Sequence, residues 1–348
     1  MTGYFVLFTL IFLCSLMKKR ERMLKIMFVI IAFFSSIRFG IGYDYYSYLD
    51  LATNDSFAAT KLELVPRLMA SASRASIPFL FFVLSSLFIS LFYYLGLRKY
   101  DGDYLPAVIF YLCFPFLFMD QLGIIRQGMA ASVVFYAFSL DQSKVVQRCL
   151  LIVLAFFCHS SAIVGLLILV PWNKMTPERL WVLLVSSFFI GTIIVRLILS
   201  ILAMISIDGV NSRAEGYLGN ESGGEGRLIQ YLIYLIAIFC ISYYNLIISY
   251  SSRNAYFVSL VVLGASLFAL FSFNDTVAKR LCMFFFSATI FVVPYLVRAM
   301  GLSLRIFYIL CILLFSMLIF VGRNNSRLED PAGYSVTYPY RTIFGYNF

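Results

Sequence analysis

The stretch LKIMFVIIAFFSSIRFGIGYDYYSY, Leu24–Tyr48, decides how this chain is read. Leu24–Ile37 carries one charge, Lys25, and is otherwise apolar or small. Arg38-Phe39-Gly40-Ile41-Gly42-Tyr43-Asp44-Tyr45-Tyr46-Ser47-Tyr48 follows with no linker. An apolar run that passes straight into arginine, carboxylate, two glycines and four tyrosines is the pattern of a helix leaving a bilayer. Two readings of the block stand side by side. One is an aromatic belt beside a glycine turn, since tyrosine rings sit at membrane interfaces with the hydroxyl in water. The other is a binding site. Glycine lets the backbone approach a ligand closely, tyrosine and aspartate suit sugar hydroxyls, and arginine suits phosphate.

The rest of the chain supports the membrane reading. Its 348 residues are 62% hydrophobic and 13% charged, with a mean hydropathy of +0.91. Soluble domains carry about 25% charged residues. Runs long enough to span a bilayer, roughly 17–25 residues, occur at Ile77–Leu97, Cys149–Pro171, Leu180–Ile207, Leu228–Ser251, Asn254–Phe273, Leu281–Val297 and Leu302–Gly322. Shorter runs lie at Tyr4–Met17, Leu24–Ile37, Leu105–Met119 and Gly128–Leu140. The expected fold is an all-α polytopic membrane protein of about 11–12 transmembrane helices. Residues 1–348 form one membrane domain in this reading, and no soluble domain of useful size remains.

Lys18-Lys19-Arg20-Glu21-Arg22 follows the first apolar run instead of preceding it. A cleavable signal has the reverse order, so the first span is expected to be retained with its C-terminal end in the cytoplasm. Counting helices from there puts Arg38 outside, Arg98-Lys99 inside, Asp120 outside and the Lys144/Arg148 loop inside. Cys149–Pro171 is then either one helix or two short ones broken near His159-Ser160-Ser161. The positive-inside rule slightly favours one helix. The break instead gathers the polar segments 38–74, 120–127, 206–227, 274–280 and 322–348 on the outer face. The net charge of +10 needs no nucleic acid, because most of it forms the inner collar expected beside anionic lipid.

Several chemistries are excluded. The seven cysteines lie in apolar runs without a Cys-x-x-Cys pair and read as small buried hydrophobes. One histidine, His159, does not make a zinc site. No P-loop, dinucleotide fingerprint or Gly-x-Ser-x-Gly elbow is present. No metal or other cofactor is expected, so a donor substrate has to carry its own activation.

The Arg38-x-Gly-x-Gly-x-Asp-Tyr-x-x-Tyr pattern resembles the first outer-loop signature of the EpsG family of polysaccharide polymerases, which are Wzy-type membrane proteins. Arg126-Gln127-Gly128-Met129-Ala130 resembles that family's Arg-Gln entry into a helix. Phe157-Cys158-His159-Ser160-Ser161-Ala162 resembles its Phe-x-His-x-Ser-Ala turn, and Val336-Thr337-Tyr338-Pro339-Tyr340 its terminal Tyr-Pro-Tyr element. The resemblance implies a GT-C-like helical bundle in the bacterial inner membrane, acting on the periplasmic face. It implies transfer of a growing glycan from undecaprenyl pyrophosphate onto a new carrier-linked repeat unit. It also favours the break at His159, which puts that residue near the outer face. Candidate partners besides the carrier-linked oligosaccharide and membrane lipid are a chain-length regulator and a flippase.

That reaction breaks a sugar–pyrophosphate bond, so positive charge placed where phosphate charge develops is the main requirement. Arg38, Arg126, Arg213 and Arg280 are the outer-face candidates. Arg126 leads, because free N–H groups at a helix start also favour anions; the plainer alternative is a snorkelling arginine. An acceptor hydroxyl needs a base, and His159 and Asp44 are the candidates. The plainer alternatives are a histidine satisfied by Ser160 or Ser161, and a loop carboxylate paired with Arg38. Gly42, Tyr45, Tyr48 and Gln127 complete the proposed binding wall. The Arg213-x-x-x-Tyr217 spacing would put both residues on one face of a helix in the loop 206–227, which is read either as a mobile lid or as a connector. Tyr338 and Tyr340 would cap a sugar groove or sit at the interface. The competing functions are a lipid-linked oligosaccharide flippase, an O-antigen ligase and a membrane acyltransferase.

Overall fold

The computed structural model describes residues 2–42, 44–54, 61–114, 117–204, 224–325 and 340–345. Among these, every regular element is a helix, apart from one isolated bridge between Arg38 and Thr342. The chain forms two compact units, Met1–Val170 with Ser303–Phe348, and Pro171–Leu302. The helical, strongly apolar architecture is that of a membrane protein.

The first unit holds α1 (Thr2–Cys14), α2 (Arg20–Ser36), α3 (Tyr45–Thr53), α4 (Leu64–Arg74), α5 (Leu80–Arg98), α6 (Tyr104–Cys113), α7 (Met119–Gly123), α8 (Ile125–Ser139), α9 (Val145–Cys158) and α16 (Leu304–Asn325). At 19 residues α5 is the one helix among the described residues able to cross a membrane unaided by length and composition. It packs against α2, α4 and α8. A helix apolar on all sides has to be surrounded by protein or lipid, and α8 is surrounded by protein. Of its fifteen residues only Arg126 and Tyr136 are not buried.

One end of this unit is basic. There the Arg98 Nε lies 2.7 Å from Glu21 Oε1, joining the end of α5 to the start of α2. Arg20 donates to the Gly102 carbonyl and sits over the Tyr104 ring, 4.3 Å from its centroid. The opposite end gathers the last residue of α2, the first turn of α5, the first turn of α8 and the last turn of α9.

The run Cys149–Pro171 is broken. Helix α9 stops at Cys158, His159 is extended (φ −161°, ψ 128°), and a 3-10 helix runs over Ser160–Leu169. Fourteen α residues at 1.5 Å and ten 3-10 residues at about 2 Å give matching lengths. The second arm folds back along the first. Arg148, near the start of α9, donates to the Ile168 carbonyl near the end of the 3-10 arm. Arg148 is therefore a buried peg closing a hairpin, not the inner-loop cation that its place in the sequence suggested.

In the second unit, α13 (Asn254–Leu270) is the buried centre, packed by α10 (Pro177–Met204), α11 (Gly224–Ser242) and α14 (Asp275–Phe286). Two expected single spans are bent. Leu228–Ser251 divides into α11 and α12 (Tyr244–Tyr250) at 71°, and Leu281–Val297 falls across a 69° bend between α14 and α15 (Thr289–Ala299). Each bend falls at a short polar step, Ser242-Tyr243-Tyr244 and Ser287-Ala288-Thr289, too brief to lower the hydropathy of the whole run. Likewise α6 ends at Cys113, short of the expected Met119. The cysteines are free thiols, six of them buried and Cys149 half-buried.

Candidate functional site

The Arg38–Tyr48 block is a scaffold before it is anything else. Arg38 is 1% exposed. Its Nη1 donates to the Ser35 carbonyl and to Ser86 Oγ (3.3 Å), its Nη2 to the Leu122 carbonyl at 3.2 Å, and the guanidinium lies 5.2 Å from the centroid of Phe82. Gly42 has φ +107°, and a Cβ there would lie 2.7 Å from both the Gly123 Cα and the Leu122 oxygen. Only glycine fits that conformation and that approach. Arg38 and Gly42 together therefore clamp the block onto the Leu122–Gly123 corner, the turn that leads directly into Arg126.

The C-terminal element reinforces the clamp. The Phe39 N–H donates to the Arg341 carbonyl and the Ile343 N–H to the Ile37 carbonyl, both at 2.9 Å. Tyr340 is buried, stacks on Phe34 at 4.1 Å and donates to the Phe34 carbonyl. It acts as a packing anchor for the tail. Tyr45 is similarly buried, stacked on Phe82 at 4.4 Å.

The polar cluster itself lies on α3, α4, α8 and the α9 hairpin, and its centre is Glu63, a residue that no motif marks. Arg126 Nη1 and Glu63 Oε2 are 2.8 Å apart. His159 Nδ1 and Glu63 Oε1 are 2.8 Å apart. The Ser160 N–H reaches the same Oε1 at 3.3 Å. Arg126 Nε makes a long contact of 3.4 Å with the Tyr48 hydroxyl. Tyr48 is held by stacking on Phe81, ring centroids 5.4 Å apart. Local structure explains each placement. Glu63 is the N-cap of α4, whose first turn contains Pro66, a residue tolerated there because the early N–H groups lack helical partners. Arg126 opens α8, and His159 is the extended corner between the two hairpin arms.

The electrostatics are settled by that geometry. Burial alone would raise the Glu63 pKa. Hydrogen bonds from His159 and from its own backbone, with the charge and hydrogen bond of Arg126, outweigh it and hold the carboxyl at about 2. Burial raises the Tyr48 hydroxyl above its usual value, so it remains protonated at neutral pH. The result is a fixed carboxylate, a guanidinium, an imidazole and a phenol at one end of the first unit, with Arg126 33% and His159 17% exposed. Such a set can hold an anion, orient hydroxyl groups and accept a proton.

The sequence candidates separate accordingly. Tyr48, Arg126 and His159 are brought together. Asp44 is half-buried at the start of α3 and near enough to Tyr48 to act on its hydroxyl electrostatically. His159 is engaged by Glu63 instead of by Ser160 or Ser161. Gln127 is buried behind Arg126. Arg38, Gly42, Tyr45 and Tyr340 occupy packing positions beneath the cluster. Arg280 is exposed on α14 in the second unit. Arg213, Tyr217 and Tyr338 lie outside the described residues.

Residues 21–342 match the family model for the EpsG family. No curated protein and no solved structure matches the chain.

Proposed function

This chain belongs to the EpsG family, and from that premise we propose that it is a polysaccharide polymerase of surface polysaccharide biosynthesis. In this reading it transfers a growing glycan from undecaprenyl pyrophosphate to a sugar hydroxyl of a new carrier-linked unit, on the periplasmic face of the bacterial inner membrane, within a GT-C-like bundle. The observation that carries it is the joining of Arg126 and His159 within one polar cluster at the end of the unit opposite its basic collar. That collar favours the cytoplasm under the positive-inside rule, which supports an outward-facing cluster.

Each residue has a task. As the bond from the anomeric carbon to pyrophosphate oxygen breaks, its electron pair goes to the leaving pyrophosphate. Arg126, using donors besides those directed at Glu63 and Tyr48, stabilises that charge. His159 takes the proton of the acceptor hydroxyl as its oxygen bonds to the anomeric carbon. Tyr48 and Asp44 orient sugar hydroxyls. Arg213, Tyr217, Arg280 and Tyr338 remain candidate contacts to the saccharide or its diphosphate.

Purified protein given only carrier-linked repeat units tests the reading. A ladder of longer saccharides is expected. Translocation of the units across vesicles without elongation would replace this reading with a flippase.

A further inference from the structure

We propose that Glu63 is the positioning residue of the site: it holds His159 as the Nδ1–H tautomer, leaves Nε2 as the proton acceptor, and fixes Arg126 beside it. The role rests on the polymerase reading only where it concerns turnover; the tautomer follows from the contact geometry and the ionised Glu63.

A carboxylate is an acceptor without protons of its own. With Glu63 Oε1 2.8 Å from Nδ1, the shared proton has to sit on the ring nitrogen. A neutral imidazole carries one N–H, so the lone pair is then on Nε2. The hydrogen bonds from His159 and its own backbone, with the Arg126 charge, hold the Glu63 carboxyl at about 2, so it is ionised at neutral pH. The two carboxylate oxygens divide the work. Oε1 accepts from the imidazole and from the Ser160 N–H, which fixes the corner on which His159 rides, while Oε2 pairs with Arg126.

This arrangement serves proton abstraction in a second way. When Nε2 takes the acceptor's proton, the imidazole becomes a cation beside a fixed negative charge. The proton moves from hydroxyl oxygen to Nε2, and the Nδ1 proton stays where it is. Glu63 does not touch the reacting atoms and acts through His159 and Arg126. It is distant from both in sequence, 96 residues from His159 and 63 from Arg126, and only the return of the α9 hairpin and the clamp on α8 bring the three together.

The chain has a single histidine, so its imidazole nitrogens can be read without assignment. In purified protein labelled with 15N-histidine, at a pH where the ring is neutral, Nδ1 should give the protonated signal and Nε2 the lone-pair signal. Glu63→Ala should shift the ring toward the Nε2–H form. Glu63→Gln can keep a hydrogen bond but not the charge, and should slow elongation at least about tenfold with little change in acceptor KM; Glu63→Asp should recover part of the rate. A wild-type ring protonated on Nε2, or an unchanged tautomer in a folded Glu63→Ala protein, overturns the proposal. If Glu63→Ala does not fold, the wild-type spectrum and the Glu63→Gln kinetics decide, and a wild-type rate in Glu63→Gln overturns it. A ladder made by wild-type protein whose tautomer ignores Glu63 removes this role and leaves the polymerase reading standing. No ladder, with the tautomer dependent on Glu63, does the reverse.

Discussion

Arg126 and Glu63 form an ion pair of 2.8 Å across 63 residues of chain, and both side chains are partly open to solvent, at 33% and 17%. A pair of this exposure contributes modestly to stability. In the proposed reaction its value is in holding a guanidinium at a fixed place, where charge directed at a leaving group acts on the transition state.

Removing Arg126 should therefore separate function from folding. Arg126→Ala is expected to lower elongation by about 10²–10³-fold while the protein stays in the membrane at normal abundance. Arg126→Lys should retain a fraction of the rate, since a point charge lacks the planar fork that matches phosphate. Polymer at the wild-type level from Arg126→Ala would remove the residue from the mechanism.

Glu63 also makes stability depend on pH in a defined direction. Its carboxyl is depressed from 4.5 to about 2 in the folded protein, so the folded state favours the ionised form. The stabilisation is complete above the ordinary carboxylate value and is lost as pH falls toward the folded value. In thermal unfolding of detergent-solubilised protein, the gap between wild type and Glu63→Gln should be nearly constant down to about pH 5, narrow below that, and close only as pH falls through about 2. A gap that does not change with pH would mean that Glu63 is not a stabilised carboxylate.

Arg38 should behave in the opposite way to Arg126. It is buried, and three acceptors from α2, α5 and the α7–α8 corner converge on it. Arg38→Ala would strand those acceptors, at about 1–3 kcal/mol for each buried group left unpaired. Arg38→Lys cannot reach the same divergent set with one ammonium. Both variants should lower Tm and folded yield, with loss of activity following from that. An Arg38→Ala protein of wild-type Tm that fails only to bind carrier-linked substrate would return Arg38 to the ligand.

The contrast between these arginines shows how far the sequence carries. Both stand beside apolar runs, and local pattern identifies each as unusual in a membrane. What pattern does not show is whether the guanidinium meets a carbonyl from another helix or solvent. Glu63 illustrates the converse. It lies in an ordinary-looking Lys61-Leu62-Glu63-Leu64 segment, and its importance comes from partners 63 and 96 residues away. The local signal for it is a carboxylate opening an amphipathic helix, just ahead of Pro66. The break at His159 is legible as one of two options. The charge rule leans the other way because the cations after Pro171 change sides between the two readings; Arg148 counts as a loop cation in both, although the hairpin buries it against Ile168.

Gly42 offers the sharpest test of the clamp that places Arg126. A methyl group there would meet backbone atoms at 2.7 Å and would also sit at φ +107°; backbone cannot move aside as a side chain can. Gly42→Ala should therefore push the Leu122–Gly123 corner away and carry the first turn of α8 with it. An expected destabilisation of about 1–3 kcal/mol should come with a disproportionate fall in elongation, because a small displacement of a positioned group costs far more rate than stability. Gly345→Ala is the control. Gly345 also has positive φ, at +77°, but a methyl group added there would meet nothing within 4 Å, so it should show the backbone strain without the loss of turnover. If the two variants lose stability and activity in the same proportion, then Gly42 supplies only a turn, and the position of Arg126 does not depend on the contact between Gly42 and Gly123.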